Sequence, residues 1–151
     1  MKIGGRHYRT IWLNADGWSV EIIDQTKLPH LFETVTLRTC EDAARAILTM
    51  QVRGAPLIGI TAAYGLCLAL REDASDEAMD RAIDYLASQR PTAINLRWAL
   101  DQVRAAVRNL PREQRVEAAY KRTAELADED VETCRRIGVH GLELLKEIAS
   151  R

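Results

Sequence analysis

The segment 56–70 constrains the fold more than any other part of this chain of 151 residues. It is apolar on almost every side, and small residues recur along it at Gly59, Ala62, Ala63 and Gly65. A helix that is apolar all round is buried by its neighbours. Pro56 is favoured at a helix start, where its missing N–H costs nothing. The sequence therefore predicts a central helix over 56–70 with other helices packed closely around it.

The composition of the chain argues against membranes and nucleic acids as binding partners. The apolar segment is shorter than the roughly 20 residues that span a bilayer, so we expect no membrane partner. The net charge is −1, which supplies no field to attract nucleic acid, so any anion site must be local. Lys2 and Arg6 are followed by a mixed stretch and not by an apolar signal core. The sequence therefore predicts a cytoplasmic protein without a nucleic-acid partner.

Cysteine and histidine spacing argues against cross-links and metals. The three cysteines are Cys40, Cys67 and Cys134, and none forms a Cys-x-x-Cys pair. The histidines His7, His30 and His140 are far apart in sequence. We therefore expect reduced cysteines that pack in the interior, solvated or hydrogen-bonded histidines, and no metal site.

The order of the other elements predicts an α+β fold. Turn signals separate three β-rich runs, 9–13, 18–24 and 32–38, which predict a three-stranded antiparallel meander resting on the helices. Helical spacing then predicts helices over 41–52, 76–88 and 91–110. After Pro111 the pattern continues to Ile148, as one very long helix or as two helices joined near Gly138 and Gly141. We expect one domain over 1–151, with the small sheet in 1–40 and a mostly α-helical bundle in 41–151.

Several side chains receive specific expectations. Helix 41–52, capped by Thr39, should bury Ala43, Ile47 and Met50. Arg97 and Asp101 are spaced for an ion pair within one helix. The acidic run 128–130 points in three directions around a helix, which favours a solvent face over a catalytic cluster.

The segment Arg53-Gly54-Ala55-Pro56 has the composition of an anion site. The start of the central helix presents free N–H groups, Gly54 permits close approach of a ligand, and the Arg53 guanidinium grips two phosphate oxygens at once. A phosphorylated small molecule matches these groups. The alternative from local chemistry is an ordinary loop before a helix that begins with proline.

Arg90-Pro91 repeats the arrangement before a second helix. The residue before proline is kept out of the helical region, which leaves Arg90 free to lean across the helix start. Two arginines on one dianion would hold it better than either alone. The alternative for Arg90 is a solvated loop arginine or an ion-pair partner.

These segments together resemble the methylthioribose-1-phosphate isomerases, which are related to the regulatory subunits of translation initiation factor 2B. The resemblance spans essentially the whole chain. It rests on Ile11-Trp12, Ile23-Asp24-Gln25-Thr26-Lys27-Leu28-Pro29, Met50-Gln51-Val52-Arg53-Gly54-Ala55-Pro56, Ile58-Gly59, Ala62-Ala63-Tyr64-Gly65, and Arg90-Pro91-Thr92-Ala93-Ile94-Asn95-Leu96-Arg97-Trp98-Ala99.

The resemblance implies a role in methionine salvage. The enzyme converts an aldose 1-phosphate to a ketose 1-phosphate, with Arg53, Gly54, Ala55 and Arg90 contacting the sugar phosphate and with no cofactor. The family's catalytic cysteine and aspartate belong to a Rossmann-like domain beyond residue 151, so we expect no catalytic residue in this chain. That C-terminal domain and a second copy, in a homodimer, are the implied protein partners, and the chain alone should be inactive.

Two alternatives remain. One is a noncatalytic regulatory or assembly domain like those of the initiation factor, against which the Arg-Gly-Ala-Pro segment argues. The other is a ribose-1,5-bisphosphate isomerase, whose resemblance is weaker around Asp24-Gln25 and Pro56.

Overall fold

The computed structural model describes residues 2–150, which form two small antiparallel sheets followed by five helices. The strands are β1 Lys2–Ile3, β2 Arg6–His7, β3 Ile11–Leu13, β4 Val20–Ile23 and β5 Thr34–Leu37. The helices are α1 Cys40–Leu48, α2 Ala55–Glu72, α3 Asp76–Ser88, α4 Ile94–Val107 and α5 Arg112–Ala149. The predicted α+β fold is confirmed.

The three-stranded meander forms as predicted, in the order β3-β4-β5. Ile22 lies opposite Ile11 on one side and Val35 on the other. The β1-β2 hairpin was not predicted. Its strands have two residues each, joined by Gly4 and Gly5 at positive φ, so no alternation of apolar and polar residues is long enough to be read.

The meander rests on the helices through both apolar and polar contacts. Val20 and Leu37 are buried in the common core. The Tyr120 hydroxyl of α5 donates a 2.7 Å hydrogen bond to the Trp18 carbonyl. The Arg71 guanidinium of α2 lies 4.6 Å from the centre of the Trp18 ring. The sheet thus gains the support that a small isolated sheet lacks.

Helix α2 is the centre of the bundle, as predicted, and contacts all four other helices. Its glycines mark the closest approaches. A Cβ on Gly65 would lie 2.8 Å from the Ala43 Cβ of α1, and a Cβ on Gly59 would lie 2.6 Å from the Asn95 carbonyl oxygen of α4. Small residues are therefore a packing requirement in this helix.

Helix α1 is shorter than expected. Thr39 and Asp42 form a reciprocal capping box at its start, but the helix ends at Leu48 and not at 52. Met50 lies in the turn that follows, with φ of 63°, and is 43% exposed. The expectation that Met50 is buried was wrong because the chain leaves the helix before that position. Ala43 and Ile47 are buried as expected.

Helix α4 begins three residues later than predicted. Arg90 to Ala93 form a turn, closed by a 3.0 Å hydrogen bond from the Ala93 N–H to the Arg90 carbonyl, and Ile94 is the first helical residue. The predicted pair of Arg97 with Asp101 was also wrong. Arg97 instead lies 4.0 Å from Asp84 on the neighbouring α3, a partner that sequence spacing does not show.

Helix α5 is one continuous helix of 38 residues, but only its first half is buried. Ala119, Thr123 and Ala127 contact the bundle, whereas the apolar residues from Val131 onward are exposed. Cys134 lies in this exposed half, so the expectation that all three cysteines pack in the interior was wrong for Cys134. No helix among residues 2–150 combines the length and apolar character that a membrane crossing requires.

Candidate functional site: two helix starts with free arginines

The loop that ends in Arg53 is anchored to the sheet. Asp24 follows β4 and is 5% exposed. Its carboxylate accepts hydrogen bonds from the Thr26 N–H at 2.9 Å, the Thr26 hydroxyl at 2.6 Å and the Gln51 amide at 3.2 Å. The Gln25 N–H also donates to the Gln51 carbonyl at 2.9 Å. The position two residues before Arg53 is therefore held by the Asp24 side chain and the Gln25 backbone at the exit of β4, and Thr26 fixes the Asp24 carboxylate.

Asp24 is held in its ionised form. Burial by itself would raise the pKa of this carboxyl, but the hydrogen bonds from Thr26 and Gln51, together with the nearby Lys27 charge, outweigh it and lower the pKa below its ordinary value. A charged acceptor makes stronger hydrogen bonds than a neutral one. The anchor of the Arg53 loop is thus a charged acceptor at neutral pH and stays charged in mild acid.

Gly54 is the N-cap of α2 and adopts φ of 94° and ψ of 132°. A Cβ there would meet nothing within 4 Å, so glycine is required by the backbone conformation and not by lack of space. Gly54 provides no side-chain cap, and the N–H groups of Ala55 and Leu57 have no acceptor within residues 2–150. The helix start presents the free donors that an anion site needs.

Arg53 and Arg90 both lie beside a helix start without a salt-bridge partner. Arg53 is exposed and Arg90 is half-buried. Neither guanidinium makes a hydrogen bond or an ion pair with any residue of the described chain, 2–150. Arg90 lines a cleft of about 230 Å³ that also includes Arg97 and Asp84. Both cations are available to a ligand.

The starts of α2 and α4 differ from the other helix starts in the described part of the chain. Thr39 caps α1 and Ser75 caps α3, each followed by acidic residues in the first turn. Helix α5 lacks a side-chain cap but has Glu113 in its first turn. Helices α2 and α4 have neither a side-chain cap nor an acidic residue there. An incoming anion meets no competing carboxylate in these two first turns.

The same two helix starts are neighbours in space. Gly59 is one turn into α2 and would clash with the Asn95 carbonyl, the second residue of α4, if it carried a Cβ. One turn of helix advances about 5.4 Å, so both starts lie within roughly a turn of this contact. The structure thus brings together the two helix starts that the sequence singles out. The joint grip of Arg53 and Arg90 on one phosphate stays a prediction.

The buried cysteines are unsuited to nucleophilic chemistry. Cys67 is fully buried, with its sulfur 3.3 Å from the Thr123 hydroxyl, and burial raises the pKa of its thiol to about 12. Burial likewise raises the pKa of Cys40 to about 12. In the part of the chain that the structure describes, no group of three metal-ligating side chains is placed to hold an ion.

A small antiparallel sheet on a helical bundle, with two uncapped helix starts side by side, defines a class of domain that is found in known proteins. Residues 51–149 match the Initiation factor 2 subunit family, and the chain belongs to that family. Among curated relatives, the methylthioribose-1-phosphate isomerase of Sinorhizobium medicae is 58% identical over 151 residues, which is 100% of this chain and 42% of the relative. The chain therefore spans about two fifths of the length of the relatives it matches.

Two solved structures share the fold. The 5-methylthioribose 1-phosphate isomerase of Pyrococcus horikoshii is 33% identical, with a TM-score of 0.81 over 89% of this chain and 40% of that chain. The translation initiation factor eIF-2B subunit delta of A. fulgidus is 37% identical, with a TM-score of 0.76 over 83% of this chain and 38% of that chain. The resemblance inferred from the sequence motifs is confirmed.

Proposed function

We propose that this chain supplies the phosphate-binding part of an isomerase that converts 5-methylthioribose 1-phosphate to 5-methylthioribulose 1-phosphate in methionine salvage. The observation that carries the proposal is the pair of uncapped, acid-free helix starts, α2 and α4, each accompanied by an arginine without a partner. The 58% identity to an isomerase over the whole chain supports the choice of reaction.

In this proposal the chain binds and orients the substrate. Arg53, Arg90 and the N–H groups at Gly54 and Ala55 hold the phosphate, while the sugar ring opens at the phosphorylated carbon and hydrogen moves between the first two carbons. Binding energy from the phosphate then orients the reacting carbons of the sugar for the chemical step. The acid-base groups would come from a Rossmann-like C-terminal domain, in a cytoplasmic homodimer that uses no cofactor.

A noncatalytic regulatory role is the second candidate, favoured by the structural likeness to the eIF-2B delta subunit. The two candidates differ in a direct assay. An isomerase converts the sugar phosphate that Arg53 and Arg90 hold, whereas a noncatalytic regulatory domain gives no turnover.

The first prediction tests the phosphate site in the complete natural protein. We expect Arg53→Ala and Arg90→Ala each to raise the KM for methylthioribose 1-phosphate about 10- to 150-fold, because each removes a charge-assisted contact worth about 1.5–3 kcal/mol. Arg108→Ala is the control, since this exposed arginine lies at the opposite end of α4 and its side chain makes no ion pair within residues 2–150. Steady-state kinetics and circular dichroism separate a lost contact from a lost fold.

The double variant tests whether the arginines share one phosphate. Coupling between the two substitutions, measured by a double-mutant cycle, is expected for contacts to one dianion. Strictly additive effects would show two separate sites. Unchanged KM in both single variants would contradict the proposed function.

A further inference from the structure

A cleft of about 210 Å³ opens between the first turns of α2 and α4 and the middle of α5. Pro56, Ile60 and Trp98 contribute apolar walls, and Asn95, Glu129 and Asp130 lie on the polar side. Pro56 is three residues after Arg53, and Asn95 is the second residue of α4. The cleft therefore adjoins the start of α2, where Gly54 and Ala55 belong to the proposed phosphate site.

Two polar groups in the cleft have no partner. The Asn95 amide and the Asp130 carboxylate are half-buried, and neither makes a hydrogen bond or an ion pair with the residues that the structure describes. An amide and a carboxylate together match the donors and acceptors of sugar hydroxyls. Glu129, by contrast, is paired with Arg122 at 2.8 Å. Asp130 thus leaves one negative charge in the cleft without a cation beside it.

The apolar wall has room for a small nonpolar group. Trp98 is 49% exposed and lines the cleft together with Pro56 and Ile60. An indole ring makes favourable contacts with a thioether sulfur and with methyl groups. A phosphate placed there would meet apolar surface and the Asp130 charge, both of which disfavour it.

We propose that this cleft binds the methylthio end of the sugar phosphate and that Trp98 and Asp130 exclude a second phosphate from it. The inference rests on the proposed function, since it assumes that the 1-phosphate occupies the adjoining arginine site. It assigns the discrimination between a methylthio sugar and a sugar bisphosphate to this chain.

The test compares kcat/KM for methylthioribose 1-phosphate, ribose 1-phosphate and ribose 1,5-bisphosphate in the complete natural protein. Trp98→Ala is expected to lower kcat/KM for the methylthio sugar about 10-fold or more and to leave ribose 1-phosphate nearly unchanged, in line with the loss of one apolar contact. Asp130→Lys is expected to raise the efficiency with the bisphosphate, relative to the methylthio sugar, by at least about 10-fold. Asp130→Asn should shift the same ratio less.

Matched controls are available outside the cleft. Glu117→Gln is the control for Asp130, since it removes an exposed carboxylate without a described partner from the same helix, α5. Tyr85→Ala is the control for Trp98, since it removes a 44% exposed aromatic ring from α3. Both should leave the substrate ratios unchanged. An active enzyme whose ratios do not move in the Trp98 and Asp130 variants overturns this inference alone. A wild-type protein without isomerase activity overturns the proposed function and this inference with it.

Discussion

At the residue scale, Gly59 sets the distance between the two helix starts. We expect Gly59→Ala to lower the free energy of unfolding by about 1–3 kcal/mol, because its Cβ would lie 2.6 Å from a backbone oxygen that has no flexible side chain to move aside. Urea denaturation followed by circular dichroism measures the change.

Gly138→Ala provides the opposite case. Gly138 lies inside α5 with nothing within 4 Å of an added Cβ, so the substitution should stabilise the helix locally by about 0.5–1 kcal/mol. Equal effects of the two substitutions would show that the contact between Gly59 and Asn95 is not tight in solution.

The role of a single residue could be predicted where it depends only on the local backbone conformation. Gly54 was singled out for its freedom of conformation, and it has positive φ. Arg115 was missed altogether. It is 6% exposed and donates to the carbonyls of Ala74, Arg108 and Leu110, with Asp76 at 2.7 Å. Leu110 and Arg108 lie five and seven residues before Arg115, but Ala74 lies 41 residues before it. Backbone acceptors leave no residue-type pattern in a sequence, so the role of Arg115 could not be predicted.

At the scale of elements, the two halves of α5 should differ in stability. We expect amide hydrogen exchange in 131–149 to be at least about 100-fold faster than in 115–127, because the side chains of the distal half are almost all exposed while the proximal half contributes buried residues to the core. Exchange measured by mass spectrometry on this chain resolves the two regions. Uniform protection along α5 would reveal a partner for the distal half, such as a second copy.

Helix identities could be predicted well and helix ends less well. The segment 76–88 was predicted with its observed bounds because Ser75 caps it and its apolar spacing is regular. The predicted start of α4 at Pro91 was wrong because Pro91 lies in the turn that precedes the helix, which begins at Ile94. The exposure of the distal half of α5 could not be predicted, since its apolar spacing continues unchanged past Ala127 whether or not a neighbour covers it.

At the scale of the whole molecule, carboxylates with lowered pKa make stability depend on acid pH. Burial tends to raise the pKa of Asp24, Glu21 and Asp42, but hydrogen bonds outweigh it and lower all three. The unfolded chain therefore takes up protons at a higher pH than the folded chain. The contribution of these three carboxylates to the free energy of unfolding should be complete above the ordinary carboxyl pKa of about 4. It should be lost as the pH falls through their lowered pKa values.

Asp24→Asn checks this dependence. We expect the variant to show a smaller loss of stability between pH 5 and pH 2, in about the range where carboxylates titrate, when thermal midpoints are measured across that interval. Glu117→Gln, an exposed carboxylate without a described partner, should follow the wild-type curve. Identical curves for Asp24→Asn and wild type would show that Asp24 adds nothing to acid sensitivity.

The hydrogen bond from the Gln51 amide to the Asp24 carboxylate makes the position of the Arg53 loop depend on the protonation of one buried carboxyl. Arg53 follows a loop that is attached to the exit of β4 through the hydrogen bond between Gln51 and Asp24, so protonation of the Asp24 carboxylate weakens this attachment. Under the proposed function, affinity for the sugar phosphate should then decline only in strong acid, below the ordinary aspartate value of about 4, because the pKa of Asp24 is lowered. Ligand capture would thus report the protonation of one carboxylate that lies outside the proposed phosphate site.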